Sequence, residues 1–383
     1  MKHISERETQ LPEAVIGQLL QIAEEHKEVV SLSVGEPDFD APKPLVEYTR
    51  KIASRATHYS PTEGRKELRE AICKKLKKDN RISCNPENIV VTCGSQQALF
   101  SALATTLDVT EEVIVPSPCY LAYIPQIELV HGVPVLYQTR EEDNWDINPD
   151  ALKKVIDKKK AEVLMINTPC NPTGNVISKK ILEEISDIAI ENDLWIFSDE
   201  AYEKLIYDKK HVSIGSLNGM EDYVVTFHTF SKSYAMCGYR VGYACGPEKL
   251  TKAMIKVNHY VALAAPTISQ LVATKALQIS NKYTESMRNE YRKRRDYIVK
   301  RANNIGLSTV MPCGAFYALS NIQHLSKDSY KFARILLDKA KVAVVPGREF
   351  GKYGEGYIRF SYATDLSKIK IALDRLEKFI GKK

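Results

Sequence analysis

The chain has no apolar run long enough to cross a bilayer, which argues against a helical membrane protein. Its eight cysteines include no Cys-x-x-Cys pair, and none has His or Cys neighbours at zinc spacing. No metal is therefore expected, and the cysteines read as small buried hydrophobes of a reducing compartment. No Gly-x-Gly-x-x-Gly follows any strand-like run, which excludes a nicotinamide dehydrogenase. Charge of one sign is not concentrated either. The net charge is +6 over 383 residues, and basic pairs such as Lys153–Lys154 are interleaved with acidic ones such as Glu183–Glu184. That is a solvated surface and not a nucleic-acid stripe. The densest basic run, Lys158–Lys160, fits the end of an amphipathic helix. Repeats and low-complexity tracts are missing. Met1, Lys2 and His3 lead into polar residues with no apolar h-region, so no signal peptide is expected. Together these absences leave a cytoplasmic enzyme, with neither membrane nor nucleic acid as a partner.

What is present is an alternation of apolar runs and helix-length segments. Asn88–Cys93, Glu112–Pro116, Glu162–Asn167, Leu194–Ser198 and Tyr223–Phe230 are rich in Val and Ile and bounded by polar, Gly or Pro residues. Such near-continuous apolar strands predict an α/β fold, with a mostly parallel sheet covered by helices on both faces. Arg240–Ala244 adds a strand beside Tyr223–Phe230. The texture changes after Tyr260–Ala265. Asn281–Asn303 reads as a long charged helix with Met287, Tyr291 and Tyr297 on its buried side. Gly314–Leu319, Val342–Val345 and Tyr357–Tyr362 read as short strands with hairpin-like connections. A length of 383 residues favours two domains. The expected division is an arm over 1–43, a large domain over 44–277 and a smaller α+β domain over 278–383. The arm, with a helix over Glu13–Glu25 and a strand near Val30–Val34, is expected to pack with the smaller domain.

Ligands of parallel sheets bind beyond the carboxyl ends of the strands, so those positions carry the chemistry. Asn88–Cys93 runs into Gly94, Ser95 and Gln96, and a helix Gln97–Leu107 follows. A Gly-Ser turn opening a helix offers free N–H groups to a phosphate; the same residues serve equally as a helix cap through Ser95. Glu162–Asn167 runs into Thr168-Pro169-Cys170-Asn171-Pro172-Thr173-Gly174, a rigid turn that holds the Asn171 amide in place. Leu194–Ser198 ends in Asp199-Glu200-Ala201-Tyr202, an acidic pair that suits a metal, a cap or a counter-ion to a cation. Tyr223–Phe230 leads to Ser231 and Lys232, with Thr229 before them and Arg240 beyond. A lysine at the end of a buried strand loses part of its hydration, which favours the neutral, nucleophilic amine. Taken alone it is also an ordinary loop lysine. Two hydroxyls and a guanidinium beside it suit a phosphate.

The joint pattern is far more specific than its parts. Ser231-Lys232-Ser233-Tyr234-Ala235-Met236-Cys237-Gly238-Tyr239-Arg240 resembles the S-K-x-[FY]-x-M-x-G-x-R motif of fold-type I aminotransferases that use pyridoxal 5′-phosphate (PLP). Asn171-Pro172-Thr173-Gly174, Asp199-Glu200-x-Tyr202, Gly35-Glu36-Pro37-Asp38-Phe39 and Arg359-Phe360-Ser361 match the same family in order and spacing. The resemblance covers nearly the whole chain and is nearest to the class I aspartate/aromatic branch.

The resemblance implies a role for each matching residue. Lys232 would hold PLP as a Schiff base and, once freed, shuttle the substrate proton. Asp199 would face the ring nitrogen. An ion pair at ~4 Å and an effective dielectric of about 20 is worth roughly 4 kcal/mol, or about three pKa units before desolvation is subtracted. Asn171 and Tyr202 would donate to the ring oxygen. Tyr120 would stack on the ring. Gly94, Ser95, Gln96, Thr229, Ser231 and Arg240 would cradle the phosphate. Tyr59 would reach the phosphate of a neighbouring subunit, which implies a homodimer with shared active sites. Arg359 interrupts an apolar strand, and a buried guanidinium needs an anion; the α-carboxylate of an amino-acid or 2-oxo-acid substrate would supply it, with Gly35 and Asn171 beside it.

The side-chain pocket departs from the acid-preferring pattern. Gln96 stands where that branch often has lysine. Leu11, Ala14, Val15 and Ile16 are apolar where some aspartate enzymes have hydroxyls, and Tyr260–Ala265 carries no charge. These features lean toward aromatic or other apolar donors, with 2-oxoglutarate as acceptor. A carbon–sulfur lyase of the same fold would share Lys232, Asp199 and Arg240. A PLP-sensing regulator would need an added DNA-binding domain, for which the short arm leaves no room.

Overall fold

Burial along the chain follows the apolar runs closely, and each becomes a strand. In chain order they are Val30–Ser31 (β1), Ile89–Thr92 (β2), Glu112–Ser117 (β3), Val133–Gln138 (β4), Ala161–Asn167 (β5), Trp195–Asp199 (β6), Val224–Thr229 (β7) and Gly242–Cys245 (β8). Tyr317–Asn321 (β9), Val342–Ala343 (β10), Val345–Pro346 (β11) and Tyr357–Ser361 (β12) follow. This computed structural model describes residues 25–381 and, ahead of them, residues 2, 4, 5, 11, 17 and 22. The helix expected over Glu13–Glu25 therefore falls mostly outside the described residues.

The large sheet has the order β2-β8-β7-β6-β5-β3-β4. Its strands are parallel except β8, which runs antiparallel to both β2 and β7. β2 and β8 are buried at every position, as strands covered on both faces must be. The sequence reading had no strand at β4. The strand's sequence, Val133-Pro134-Val135-Leu136-Tyr137-Gln138, is as apolar as that of β3, but Pro134 near its start reads as a break, and at the sheet edge only one of its residues is buried. Helices cover the sheet through ordinary amphipathic spacing. In Lys179–Asn192 the Ser178 hydroxyl accepts from the Ile181 N–H, and Leu182, Ile185, Ile188 and Ala189 form the buried face. Asp193 ends that helix in the left-handed region.

A second core lies around β9 and β12, with Tyr291, Phe316, Phe332, Ile358 and Leu373 buried in it. Leu32 from the N-terminal segment joins this core, and β1 pairs in parallel with β10. The order β11-β12-β9 is antiparallel. The expected hairpins are only partly present. Val342–Val345 divides between two sheets, and β9 meets β12 across a long excursion of chain. The long helix is Lys282–Asn304, and it buries Met287, Tyr291, Ile298 and Val299. Tyr297 is only half-buried, flanked by Arg301 and Lys370. Lys158–Lys160 does not end a helix: the short helix before it is Pro149–Lys153, and the basic run lies in the turn before β5.

Gly94 has φ 84° and makes the turn from β2 directly into the helix Ser95–Thr106, two residues earlier than expected. Gly242 on β8 passes so close that an added Cβ would meet the Ser95 nitrogen at 2.4 Å and the His228 carbonyl at 2.8 Å. Backbone cannot yield there as a side chain would. Gly242→Ala is therefore expected to destabilise the protein by about 1–3 kcal/mol, read as a lowered melting temperature.

Candidate active site

The carboxyl ends of β5, β6 and β7 lie side by side, with the start of the helix Ser95–Thr106 across from them. They enclose a cavity of about 900 Å³. Every site residue expected from the sequence lines this cavity except Tyr59. Tyr59 is 87% exposed on the surface of the chain.

At one end is an anion cradle. The helix Ser95–Thr106 begins without a side-chain cap, so its first N–H groups face the cavity with the positive end of the helix dipole. Arg240 lies against Gly94, where a Cβ would meet its Nη2 at 2.9 Å. Its guanidinium donates only to the carbonyls of Cys237 (3.0 Å) and Cys93 (3.5 Å), so its charge has no carboxylate partner among the described residues. Thr229 caps the short helix Phe230–Ser233 by accepting from the Ser231 N–H at 3.1 Å. Ser231 is buried beside it.

In the middle stand Lys232 and Asp199. The Lys232 Nζ donates to the Gly35 carbonyl at 2.5 Å and lies 5.9 Å from the centres of the Tyr202 and Phe316 rings. Asp199 is 5% exposed. Burial pushes its carboxyl up to about 6, while the hydroxyl of Tyr123 (2.7 Å) and the N–H of Ala201 (3.1 Å) pull the other way. No ammonium or guanidinium among the described residues is within ion-pair distance of it. Tyr120 borders the same space, its hydroxyl 3.4 Å from Gln96 Oε1.

At the far end Arg359 is 1% exposed. Its Nη1 donates to Asn171 Oδ1 at 3.0 Å and its Nη2 to the Ser33 carbonyl at 2.6 Å. Its Nε has no hydrogen-bond partner. The guanidinium lies over Tyr317, 4.4 Å from the ring centre. A structural salt bridge is thus not what holds this arginine; it is a buried cation with neutral partners. Burial lowers its pKa from the ordinary arginine value.

Sequence reasoning passed over Tyr123, Tyr317 and Ser33. Tyr317 shares a 2.8 Å hydrogen bond with the Tyr202 hydroxyl, so the two phenols orient each other. Tyr123 lies three residues after Tyr120, just where the helix begins, and its residue type alone does not separate it from a core tyrosine. Ser33 acts through its carbonyl, which leaves no trace in residue type.

Glu200, beside Asp199, points away from the cavity. It accepts from Ser198, Ser213, His211 and Asn80. Glu200, Glu203 and His228 have donor atoms within 4.8 Å of one another, a spacing a metal would accept. The Asn80 amide, however, already bridges the two carboxylates, and the Lys75 ammonium pairs with Glu203. A separate cleft of about 1060 Å³ opens on this side, but it contains none of the converging strand-end residues.

A family model described as aminotransferase class I and II matches residues 27–376. The chain is 46% identical over 373 residues to an aspartate aminotransferase of Pyrococcus abyssi, covering 96% of each chain. It is 42% identical to aromatic-amino-acid aminotransferase 2 of Thermococcus litoralis, covering 99% of each. The crystal structure of an aromatic aminotransferase from Pyrococcus horikoshii superimposes with a TM-score of 0.91 at 44% identity, covering 95% of this chain and 99% of that one.

The cavity fits PLP, the cofactor of these enzymes: an uncapped helix start with an uncompensated arginine for the phosphate, a buried carboxylate without a cation for the ring nitrogen, and a lysine amine between them. Asp199 also makes a pH prediction. Its folded pKa is raised, so the cofactor-free protein loses stability as pH climbs from about 4 through about 6. Asp199→Asn removes that loss. In urea unfolding without cofactor, the variant should match wild type below pH 4 and exceed it by on the order of 2–3 kcal/mol at pH 7.

Proposed function

The chain belongs to the class I and II aminotransferases and is a PLP-dependent transaminase, and on that premise we propose how its residues divide the work. PLP, when bound, supplies the electron sink for the charge left on the substrate Cα as its proton departs. Lys232 holds the cofactor covalently and, once released, carries that proton at Nζ. Asp199 keeps the ring nitrogen protonated. Asn171 and Tyr202 donate to the ring oxygen, and Tyr120 covers the ring face. Gly94, Ser95, Gln96, Thr229, Ser231 and Arg240 bind the phosphate. Arg359 binds the substrate α-carboxylate, with Asn171 and Gly35 shaping the space beside it. The observation that carries this reading is Arg359: a fully buried guanidinium with an unpartnered Nε, opening onto the same cavity as Lys232. A carboxylate would complete it bidentately.

The donor preference we propose is aromatic or otherwise apolar, with 2-oxoglutarate as acceptor. Leu11, Leu121, Ile124 and Leu129 line the cavity, and Gln96 adds no charge. The relatives named above include both aspartate and aromatic enzymes, so the pocket lining is what supports the choice. A homodimer with shared sites is supported by the exposure of Tyr59 (87%), Tyr260 (88%) and Val261 (51%), large apolar groups left bare on one subunit. The division into an arm over 1–43, a large domain over 44–277 and a small domain over 278–383 is supported by the pairing of β1 with β10. No helix among the described residues is long and apolar enough to cross a membrane, which fits the proposed cytoplasmic location.

The test is a half-reaction panel without acceptor, using Tyr, Phe, Asp, Glu and Ala. Tyrosine and phenylalanine should give their 2-oxo acids fastest; aspartate leading the panel would refute the preference, and no oxo acid from any donor would refute the residue assignments. Arg359→Lys should raise KM for every donor by roughly tenfold or more while leaving kcat less affected, because one ammonium cannot replace a two-pronged contact. Lys232→Ala should abolish borohydride-trappable cofactor.

A further inference from the structure

Tyr123 stands at the start of the helix Tyr123–Leu129 and is 1% exposed. Its ring is packed in the core of the large sheet with Phe197, Phe227 and Met165, and edge-on to Tyr120 at 5.4 Å. One polar atom interrupts that apolar contact, the hydroxyl, and it donates to Asp199 Oδ2 at 2.7 Å. The other carboxylate oxygen accepts from the Ala201 N–H. The carboxylate is therefore gripped on both oxygens, once by its own strand end and once from across the sheet.

We infer that Tyr123 is a positioning residue for Asp199: its O–H fixes the carboxylate in orientation and keeps it ionised, so that the ring nitrogen opposite stays protonated. The inference rests on the proposed role of Asp199 as partner of that nitrogen. The physical need is plain. A buried carboxylate without donors takes up a proton, and a neutral acid does not hold a pyridinium. The titratable groups facing Asp199 are Tyr123 and Tyr120 from the segment after β3, Cys170 from the turn after β5, Glu200 from its own strand end and Lys232. Glu200 opposes ionisation and Lys232 favours it from a distance; of these side chains, only Tyr123 has a hydrogen bond to the carboxylate. Burial, and then the charge of Asp199, push the ionisation of Tyr123 itself well above the ordinary tyrosine range, so it remains a donor at working pH.

The experiment is a double-mutant cycle of Tyr123→Phe and Asp199→Asn in the full chain, read as the dissociation constant for PLP across pH. Phenylalanine preserves the packed ring, and a melting curve confirms folding. Tyr123→Phe should weaken PLP binding roughly tenfold, the worth of one hydrogen bond to a charged group, and should have less than about a twofold effect once Asp199 is Asn. In wild type, affinity falls as pH drops through about 6, where free Asp199 takes up its proton; in Tyr123→Phe that fall moves up by about one pH unit. Installing 3-fluorotyrosine at position 123, a stronger donor of nearly the same size, should move it down. Equal losses in both Asp199 backgrounds, or an unmoved pH dependence, would overturn the positioning role. A loss in Asp199→Asn with none in Tyr123→Phe overturns Tyr123 alone. No loss in Asp199→Asn overturns the reading of Asp199, and the inference with it.

Discussion

The fold keeps two opposite charges buried in one cavity without letting them meet. Asp199 ends a parallel strand and Arg359 interrupts an antiparallel one. Each has hydrogen-bond partners that are neutral: Tyr123 and Ala201 for the carboxylate, Asn171 and Ser33 for the guanidinium. Isolated buried charge is costly, and neutral donors or acceptors repay only part of the cost. What remains is the driving force for binding. On the proposed assignment, a cofactor with a cationic ring would relieve the carboxylate and an amino acid's carboxylate would relieve the guanidinium, so the same uncompensated charges that cost stability would select the ligands.

Such charges persist only where the surrounding structure fixes them firmly. Asn171 is held by the Asn167 side chain through its own N–H at 2.8 Å, and Tyr202 by Tyr317. Arg294 grips Asp38 with one Nη at 2.9 and 2.8 Å, which ties the Gly35–Phe39 segment to the long helix Lys282–Asn304. That segment and the residues just before it bring the Gly35 carbonyl to Lys232 and the Ser33 carbonyl to Arg359. The N-terminal residues thus touch two of the site's cationic side chains, Lys232 and Arg359, through backbone atoms.

The parallel strands were legible because burial on both faces writes itself as unbroken Val and Ile. Lys232, Asp199, Asn171 and Arg240 were legible as candidates because the chemistry sits immediately past those strands, in motifs with distinctive types and spacing. β4 was not, because a proline at its second position reads as a break in a strand, although the residues around it are apolar. The split of Val342–Val345 between two sheets could not be read either, since a run of valines says that a segment is extended but not which neighbour it pairs with. Tyr123 and Tyr317 were hidden for another reason. Their rings fill cores as any tyrosine would, and only the direction of one hydroxyl separates a packing residue from one that serves the site.

Arg240 and Cys93 touch although they are 147 residues apart in the chain. The anion cradle has one wall from the turn after β2 and the other from the turn before β8, and the two strands are neighbours only because β8 reverses direction to lie between β2 and β7. During synthesis, a chain that has emerged only as far as β7 has the helix start but not the arginine. It has no complete cradle to offer. On the proposed assignment, cofactor capture would therefore wait for one of the most non-local pairings in the large sheet, and the cofactor would reward only chains that have already finished it.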